Sequence, residues 1–205
     1  MKTKTEARRR LILDVAAEVF REFGFERASM AEICTRVGGS KATLYNYFPS
    51  KEELFLEVML EGTREQFYFL HQPLEWQSSS VRQVLAGFGQ RLLMLVFSPS
   101  IIAVRRLAIA ESVRSDIGRN FFERTRRKGE LLIAEQLDAA VAGGQLRPGN
   151  TRLMAMQWFS LLEAELVERL FWTEVPEPEE AFIEGVVERA VDAFMRIWGV
   201  EAPTV

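Results

Sequence analysis

Apolar residues recur every three to four positions along almost the whole chain, with polar residues between them, and strict two-residue alternation is absent. That spacing lines one face of an α-helix and does not suit a half-buried strand. Over residues 5–23 the stripe is Leu11, Val15 and Val19 beside Ile12, Ala16, Phe20 and Phe23, and Gly24 is placed to end it. Two short helices are predicted next, at 30–37 and 41–48, separated by Gly38-Gly39-Ser40. Ser29 with Glu32, and Ser50 with Glu53, form capping-box patterns, Ser40 is the N-cap of the second short helix, and Pro49 stops it. A long helix is expected from Lys51 to about His71, followed by helices at 81–97, 101–112, 116–142, 151–172 and 179–198. Serine, glycine and proline clusters punctuate them: Ser78-Ser79-Ser80, Ser98-Pro99-Ser100, Gly143-Gly144, Pro148-Gly149-Asn150, and Pro176 with Pro178. The expected fold class is therefore all-α with nine helices, three short N-terminal ones and six longer ones. Residues 1–50 are expected to form one domain and 51–205 another.

Composition narrows the class. At 48% hydrophobic and 27% charged residues, the chain has the make-up of a soluble globular protein. One Cys and one His exclude a disulfide framework and supply too few ligands for a structural zinc site, so neither metal nor cofactor is expected. Residues 1–10 are basic and polar, without the apolar core of a signal peptide. Arg105 and Arg106 interrupt the longest apolar stretch, far short of the roughly 18 residues a membrane span needs. A cytoplasmic protein with no membrane attachment is expected.

The net charge of -3 argues by itself against a polyanionic partner, but its distribution argues the other way. Residues 1–51 carry ten Lys/Arg against six Asp/Glu, a net of +4, whereas the remainder carries 16 against 23, a net of -7. A basic module joined to an acidic body fits a nucleic-acid reader attached to something else, although a solvated basic face has the same composition.

The predicted pair at 30–48 has the bare form of a helix-turn-helix, two short helices joined by a glycine-containing turn. Ala31, Gly38, Gly39 and Ala42 are small enough for a close crossing, and Leu44 and Phe48, four apart, face inward. The other side of the second helix offers Lys41, Thr43, Tyr45, Asn46 and Tyr47. Lysine and hydroxyl groups suit phosphates, and an asparagine reads an adenine edge. An ordinary helical hairpin with a polar surface is the competing reading.

The string GFERASMAEICTRVGGSKATLYNYFPSKEELF resembles the DNA-binding segment of the tetracycline-repressor (TetR) family of regulators. Gly24, Phe25, Ser29, Ile33, Gly38, Ser40, Lys41, Thr43, Leu44, Tyr45, Tyr47, Phe48, Ser50 and Lys51 match its pattern in fixed register. Two positions depart from it: Cys34 stands where alanine is usual, and Gly39 replaces a common valine, which is expected to loosen the packing of the two short helices. The resemblance implies that Ser29, Ser40, Lys41, Thr43, Tyr45, Asn46, Tyr47 and Lys51 form the DNA-binding surface. The serines open helices whose free N–H groups favour phosphate oxygens. Arg8, Arg9 and Arg10 are expected either to reach DNA as a flexible arm or to be solvated charge.

A helix of eight residues reads only a few base pairs, so a homodimer on a palindromic, double-stranded operator is expected. The last two helices are apolar over much of their girth, and the dimer interface is assigned to Leu162, Leu166, Val187, Val191, Phe194 and Trp198, as a four-helix interface of the family's kind. The aromatic middle of the chain reads as a sensor for a small-molecule effector, its pocket assigned to Phe67, His71, Phe88, Trp158 and Phe159, each of which is also an ordinary core residue type. Helix 51–71 would then carry the effector signal toward DNA. The expected function is a ligand-responsive repressor released from its operator by a small apolar or aromatic effector; an activator, or a helical interaction module of the same fold, is the alternative. No nucleophile elbow, phosphate-cradling glycine loop or HExxH motif occurs, so an enzyme is not expected.

Overall fold

The computed structural model describes residues 2–62 and 80–200. Among these residues there are nine helices and no strand, apart from one isolated antiparallel bridge between Leu146 and Gly199. The helices are α1 (Lys2–Arg27), α2 (Met30–Val37), α3 (Lys41–Tyr47), α4 (Lys51–Gly62), α5 (Val81–Val96) and α6 (Pro99–Glu111), then α7 over residues 117–142, α8 (Thr151–Glu163) and α9 (Glu180–Trp198). The expected extension of α4 to His71 lies outside the described residues. No single described helix is long and apolar enough to cross a membrane; α5 and α6 meet that test only jointly, across a 72° bend.

The chain forms two compact units. Among the described residues the first comprises α1 to α4 and, from later in the sequence, Leu107–Arg119; the second comprises residues 80–106 and 120–200.

In the first unit α1 contributes Ile12, Leu13, Ala16, Val19 and Phe20 to a core shared with Ile33, Cys34 and Val37 of α2 and with Leu44 and Phe48. Leu54 and Val58 of α4 complete this core, although they lie beyond residue 50. Gly24 breaks α1 as its position implied, at φ 72 and ψ 166, and one further turn runs on to Arg27. The break folds Phe25 against Phe20 and Phe55, with ring centroids at 6.2 and 4.9 Å. Arg8, Arg9 and Arg10 belong to α1 and do not form a flexible arm. Arg8 donates to the carbonyl of Gly38 at 2.6 Å, while Arg9 pairs with Glu57 and stacks 5.4 Å from the centroid of the Phe48 ring. These partners lie 30 to 48 residues away, too far for any local pattern to announce them.

The second unit is built around α5, α7, α8 and α9. Its core gathers Leu85, Phe88 and Leu93 with Ile133, Leu137, Trp158, Phe159, Val187 and Phe194. α7 runs without a break through Ile117–Phe122, a π-helical turn at Glu123–Arg127, and Lys128–Ala142. Expected to continue to residue 172, α8 stops at Glu163 and is followed by a 3-10 turn, Val167–Phe171. The apolar period continues through this stretch, but Arg106 takes up the carbonyls of Arg169, Leu170 and Trp172, at 2.9 and 2.7 Å for the first two. A guanidinium donating to three carbonyls of one turn supports that tight turn in place of α-helical bonds.

Candidate nucleic-acid interface

Ser29 caps α2 and Ser40 caps α3, each by accepting a hydrogen bond from the backbone N–H three residues on, at 3.2 and 3.1 Å. Ser40 Oγ also pairs with Thr43 Oγ1 at 2.9 Å, which holds the first turn of α3 closed. Gly38 ends α2 in the left-handed conformation, with φ 67, and its N–H donates to the carbonyl of Cys34. The chain reverses and Lys41–Tyr47 follows at once.

α3 buries Leu44, and its cap Phe48 is buried too. These two anchor the helix in the first core, and the opposite side is presented outward. Lys41, Tyr45 and Asn46 are exposed, Tyr45 by 47%, whereas Thr43 and Tyr47 are half-buried. Tyr47 leans on Phe48, with ring centroids 6.5 Å apart. Ser29, Ser40, Lys41, Thr43, Tyr45, Asn46 and Tyr47 therefore fall on the two short helices and their caps, with an ammonium, an amide and a phenol outermost. Lys51 is different: its ammonium donates to the carbonyls of Phe25 and Glu26 at 2.9 and 3.4 Å, which uses two of its three N–H groups inside the unit. Arg36, close by on α2, is paired with Glu22 and Glu32 at 2.7 Å each, and hydrogen bonds to those carboxylates raise its pKa further above the ordinary arginine value.

Of the residues assigned to an effector pocket, Phe67 and His71 lie outside the described residues. Phe88, Trp158 and Phe159 come together in the second core, with Phe88 and Phe159 edge to face at 5.8 Å. Trp158 packs edge-on to Phe194 at 5.7 Å, and its buried indole N–H has no hydrogen-bond partner among the described residues. Next to this cluster runs a chain of ion pairs: Arg105 to Glu163 at 2.8 Å, Arg126 to Glu163 at 3.3 Å, and Arg126 and Arg127 to the buried Glu130 at 2.7 and 3.1 Å. Arg126 also stacks 4.9 Å from the centroid of Phe159. Arg126 and Arg127 are thus tied to neighbouring carboxylates. Among the described residues, no group of three or more His, Cys, Asp or Glu side chains is gathered for a metal ion.

The residues assigned to the dimer interface sit mainly in the interior of the unit. Leu162, Leu166, Val187, Val191 and Phe194 are at most 1% exposed, packed within the core that α5, α8 and α9 share. Trp198 is half-buried, and its indole N–H donates to Gln157 at 2.8 Å. A helix apolar around its girth has two candidate inner faces, and periodicity alone does not say which one meets its own core. The large apolar residues left exposed on α8 and α9 are Leu153, Met156, Phe182 and Ile197. Leu153, Met156 and Ile197 line an open groove of about 410 Å³ together with Gln157, Ser160 and Leu161. Glu165 and Arg189, 24 residues apart, form a two-pronged ion pair at 2.9 and 2.6 Å.

A capped helix-turn-helix with an outward polar helix, carried on a chain with a second, separately cored helical unit, defines a DNA-binding regulator architecture. Two family models match this chain: "Bacterial regulatory proteins, tetR family" over residues 12–58, and "AefR-like transcriptional repressor, C-terminal domain" over residues 83–200. The chain belongs to the TetR family of bacterial regulatory proteins. The HTH-type transcriptional regulator UidR of Escherichia coli K12 is 34% identical over 102 residues, covering 46% of this chain and 52% of UidR, so the chain spans about half the length of that curated relative. Among solved structures, a protein of Mesorhizobium loti described as a TetR-family transcriptional regulator superposes with a TM-score of 0.79 at 26% identity, covering 96% of this chain and 98% of that one. The flavonoid-responsive regulator FrrA superposes with a TM-score of 0.74 at 27% identity, covering 96% and 100%.

Proposed function

We propose that this protein is a transcriptional repressor that binds a palindromic operator as a homodimer and is released by a small, flat aromatic or apolar effector. The observation that carries the reading is the outward face of α3. Leu44 and Phe48 hold the helix down, while Lys41, Tyr45 and Asn46 point away from the core. An ammonium for phosphate, with an amide and a phenol for base edges, is the chemistry a groove-reading helix needs. Ser29, Thr43 and Tyr47 flank it as candidate backbone contacts, and Lys51 is a candidate through its remaining N–H.

Repression, in preference to activation, is supported by the match to the AefR-like repressor domain. The aromatic effector class is supported by the likeness to FrrA and by the clustering of Phe88, Trp158 and Phe159. For the dimer, the outer stripe of α8 and α9 is the surface we favour, with Leu153, Met156 and Ile197 against their copies, because these residues remain exposed in the protomer. Nothing in this scheme requires catalysis or a membrane, and it places the protein in the cytoplasm.

The test is selection of duplexes from a random-sequence pool by the full-length protein, followed by sedimentation of the complex and titration with a flavonoid panel. Recovery of a two-fold symmetric sequence bound by a dimer, and its release by one of the flavonoids, is the expected result. Asymmetric or absent enrichment would overturn the operator reading. Tight flavonoid binding with unchanged DNA affinity would overturn the release reading.

A further inference from the structure

We infer that Arg8 is a positioning residue for the DNA-reading helix, bonded to the α2–α3 turn with its guanidinium lying in the space beside Gly39. This rests on the DNA-binding reading of α3. The Arg8 guanidinium crosses from α1 and donates to the carbonyl of Gly38 at 2.6 Å. Gly38 is the left-handed cap of α2, so its carbonyl lies beyond the helix's own hydrogen-bond ladder. The next carbonyl, of Gly39, accepts from Cys34 Sγ at 3.3 Å. The carbonyls of Gly38 and Gly39 are thus held by side chains, one from each of the two helices that precede the turn.

Gly39 makes this arrangement possible. A Cβ there would overlap Nη2 of Arg8 and approach its Cζ to 3.7 Å. Its backbone does not have the positive φ of Gly24 or Gly38, so the conformation itself admits other residues. The obstacle is the seated guanidinium alone. A valine, which the family resemblance would place here, requires the Arg8 guanidinium to shift from the position in which it reaches the Gly38 carbonyl. The expectation that Gly39 loosens the two short helices is therefore replaced: the packing a larger side chain would supply is taken over by a charged one from α1. The seat matters for α3 because, of its seven residues, that helix buries only Leu44. With so small a footprint, its direction depends on the three-residue turn to which Arg8 is bonded.

The experiment uses the full chain as wild type, Arg8→Ala, Gly39→Ala and the double variant. Each is titrated at several salt concentrations against a duplex that the wild type selects from a random pool and against a scrambled duplex. Each single variant is expected to lose about five- to tenfold in preference for the selected duplex, the size of one hydrogen bond's net contribution. The double variant loses no more than either single, because both remove the same seat. The slope of log affinity against log salt stays at the wild-type value, and Arg8→Lys restores part of the preference. A slope smaller by about 0.9 would make Arg8 a phosphate ligand and overturn the inference. Additive losses, or an unaltered preference in Gly39→Ala, would overturn it as well. Gly39→Ala adds one methyl group at an exposed site, which keeps the test open should Arg8→Ala fold poorly. If the wild type selects no duplex, the DNA-binding reading fails and takes this one with it; selection by a wild type whose variants keep its full preference sinks only the role of Arg8.

Discussion

The ammonium of Lys51 lies 4.3 Å from the centroid of the Phe25 ring and donates to the carbonyl of that same residue, 26 positions earlier in the chain. One side chain thus ties the first turn of α4 to the turn beyond the Gly24 break in α1. A cation held over a ring and bonded to backbone carbonyls is partly desolvated, which raises the worth of both interactions above that of a surface lysine. Lys51→Ala should therefore lower the stability of the first unit by about 1–2 kcal/mol. Faster amide exchange in α1 and α4, with exchange in α8 and α9 unchanged, is the readout. Unchanged exchange in the first unit would show that the tie is ornamental.

Lys41 and Asn46 are exposed and should separate affinity from specificity. Lys41→Ala is expected to weaken selected and scrambled DNA alike and to reduce the salt slope by about 0.9, because one phosphate no longer has a cation to neutralise it. Asn46→Ala is expected to leave the slope alone and to relax base preference at one position of each half-site, by about 1–3 kcal/mol. Titrations of both duplexes across salt distinguish these outcomes, and melting temperatures should match the wild type.

The pair of Glu165 and Arg189 predicts an acid-sensitive contribution. The hydrogen bonds from Arg189 lower the Glu165 pKa below its ordinary value of 4.5. A carboxylate shifted down on folding stabilises the folded state at every pH above its unfolded value, and that contribution disappears as pH falls through the lowered one. The difference in urea midpoint between wild type and Glu165→Gln should be constant above the ordinary titration range of carboxylates and shrink as pH falls through and below that range. A difference that grows on acidification would contradict the assignment.

Glu130 is the buried member of the ion-pair chain, 3% exposed, while Arg126 and Arg127 keep about a quarter of their side chains in solvent. Removing the carboxylate leaves two arginines that can swing outward. Removing both arginines leaves a buried anion with neither of its two cations, and such broken pairs cost about 3–5 kcal/mol. Arg126→Leu combined with Arg127→Leu should thus be the more damaging change at pH 7, with Glu130→Gln milder, measured as urea unfolding midpoints. The reverse order would mean that the arginines contribute little.

Local pattern made the helix boundaries legible where a capping residue fixed them. Ser29, Ser40 and Ser50 all accept the bond their position implies, and Leu44 and Phe48 face the core as their spacing requires. Interactions that join distant segments were not legible. Arg8 to Gly38, Arg9 to Glu57 and Lys51 to Phe25 turn apparently free cations into struts, and no short window of sequence contains both partners. The division of faces on α8 and α9 was hidden for another reason. Leu162 and Val187 belong to the same apolar girdle as the exposed Met156 and Phe182, and the periodicity does not show that the first two pack into the shared core, close to Gly89 of α5. The end of α8 falls short of the apolar period because that period does not register the pull of Arg106 on backbone carbonyls.

At Gly24 the open space around the missing side chain has a consequence of its own. The site has nothing within 4 Å of where a Cβ would stand, yet its φ of 72 is one that L side chains rarely adopt. Size is no barrier there; handedness is. A mirror-image alanine, introduced by chemical ligation, would enter without strain and restrict the unfolded chain, whereas the natural enantiomer would have to twist the very corner that swings Phe25 back onto its neighbours.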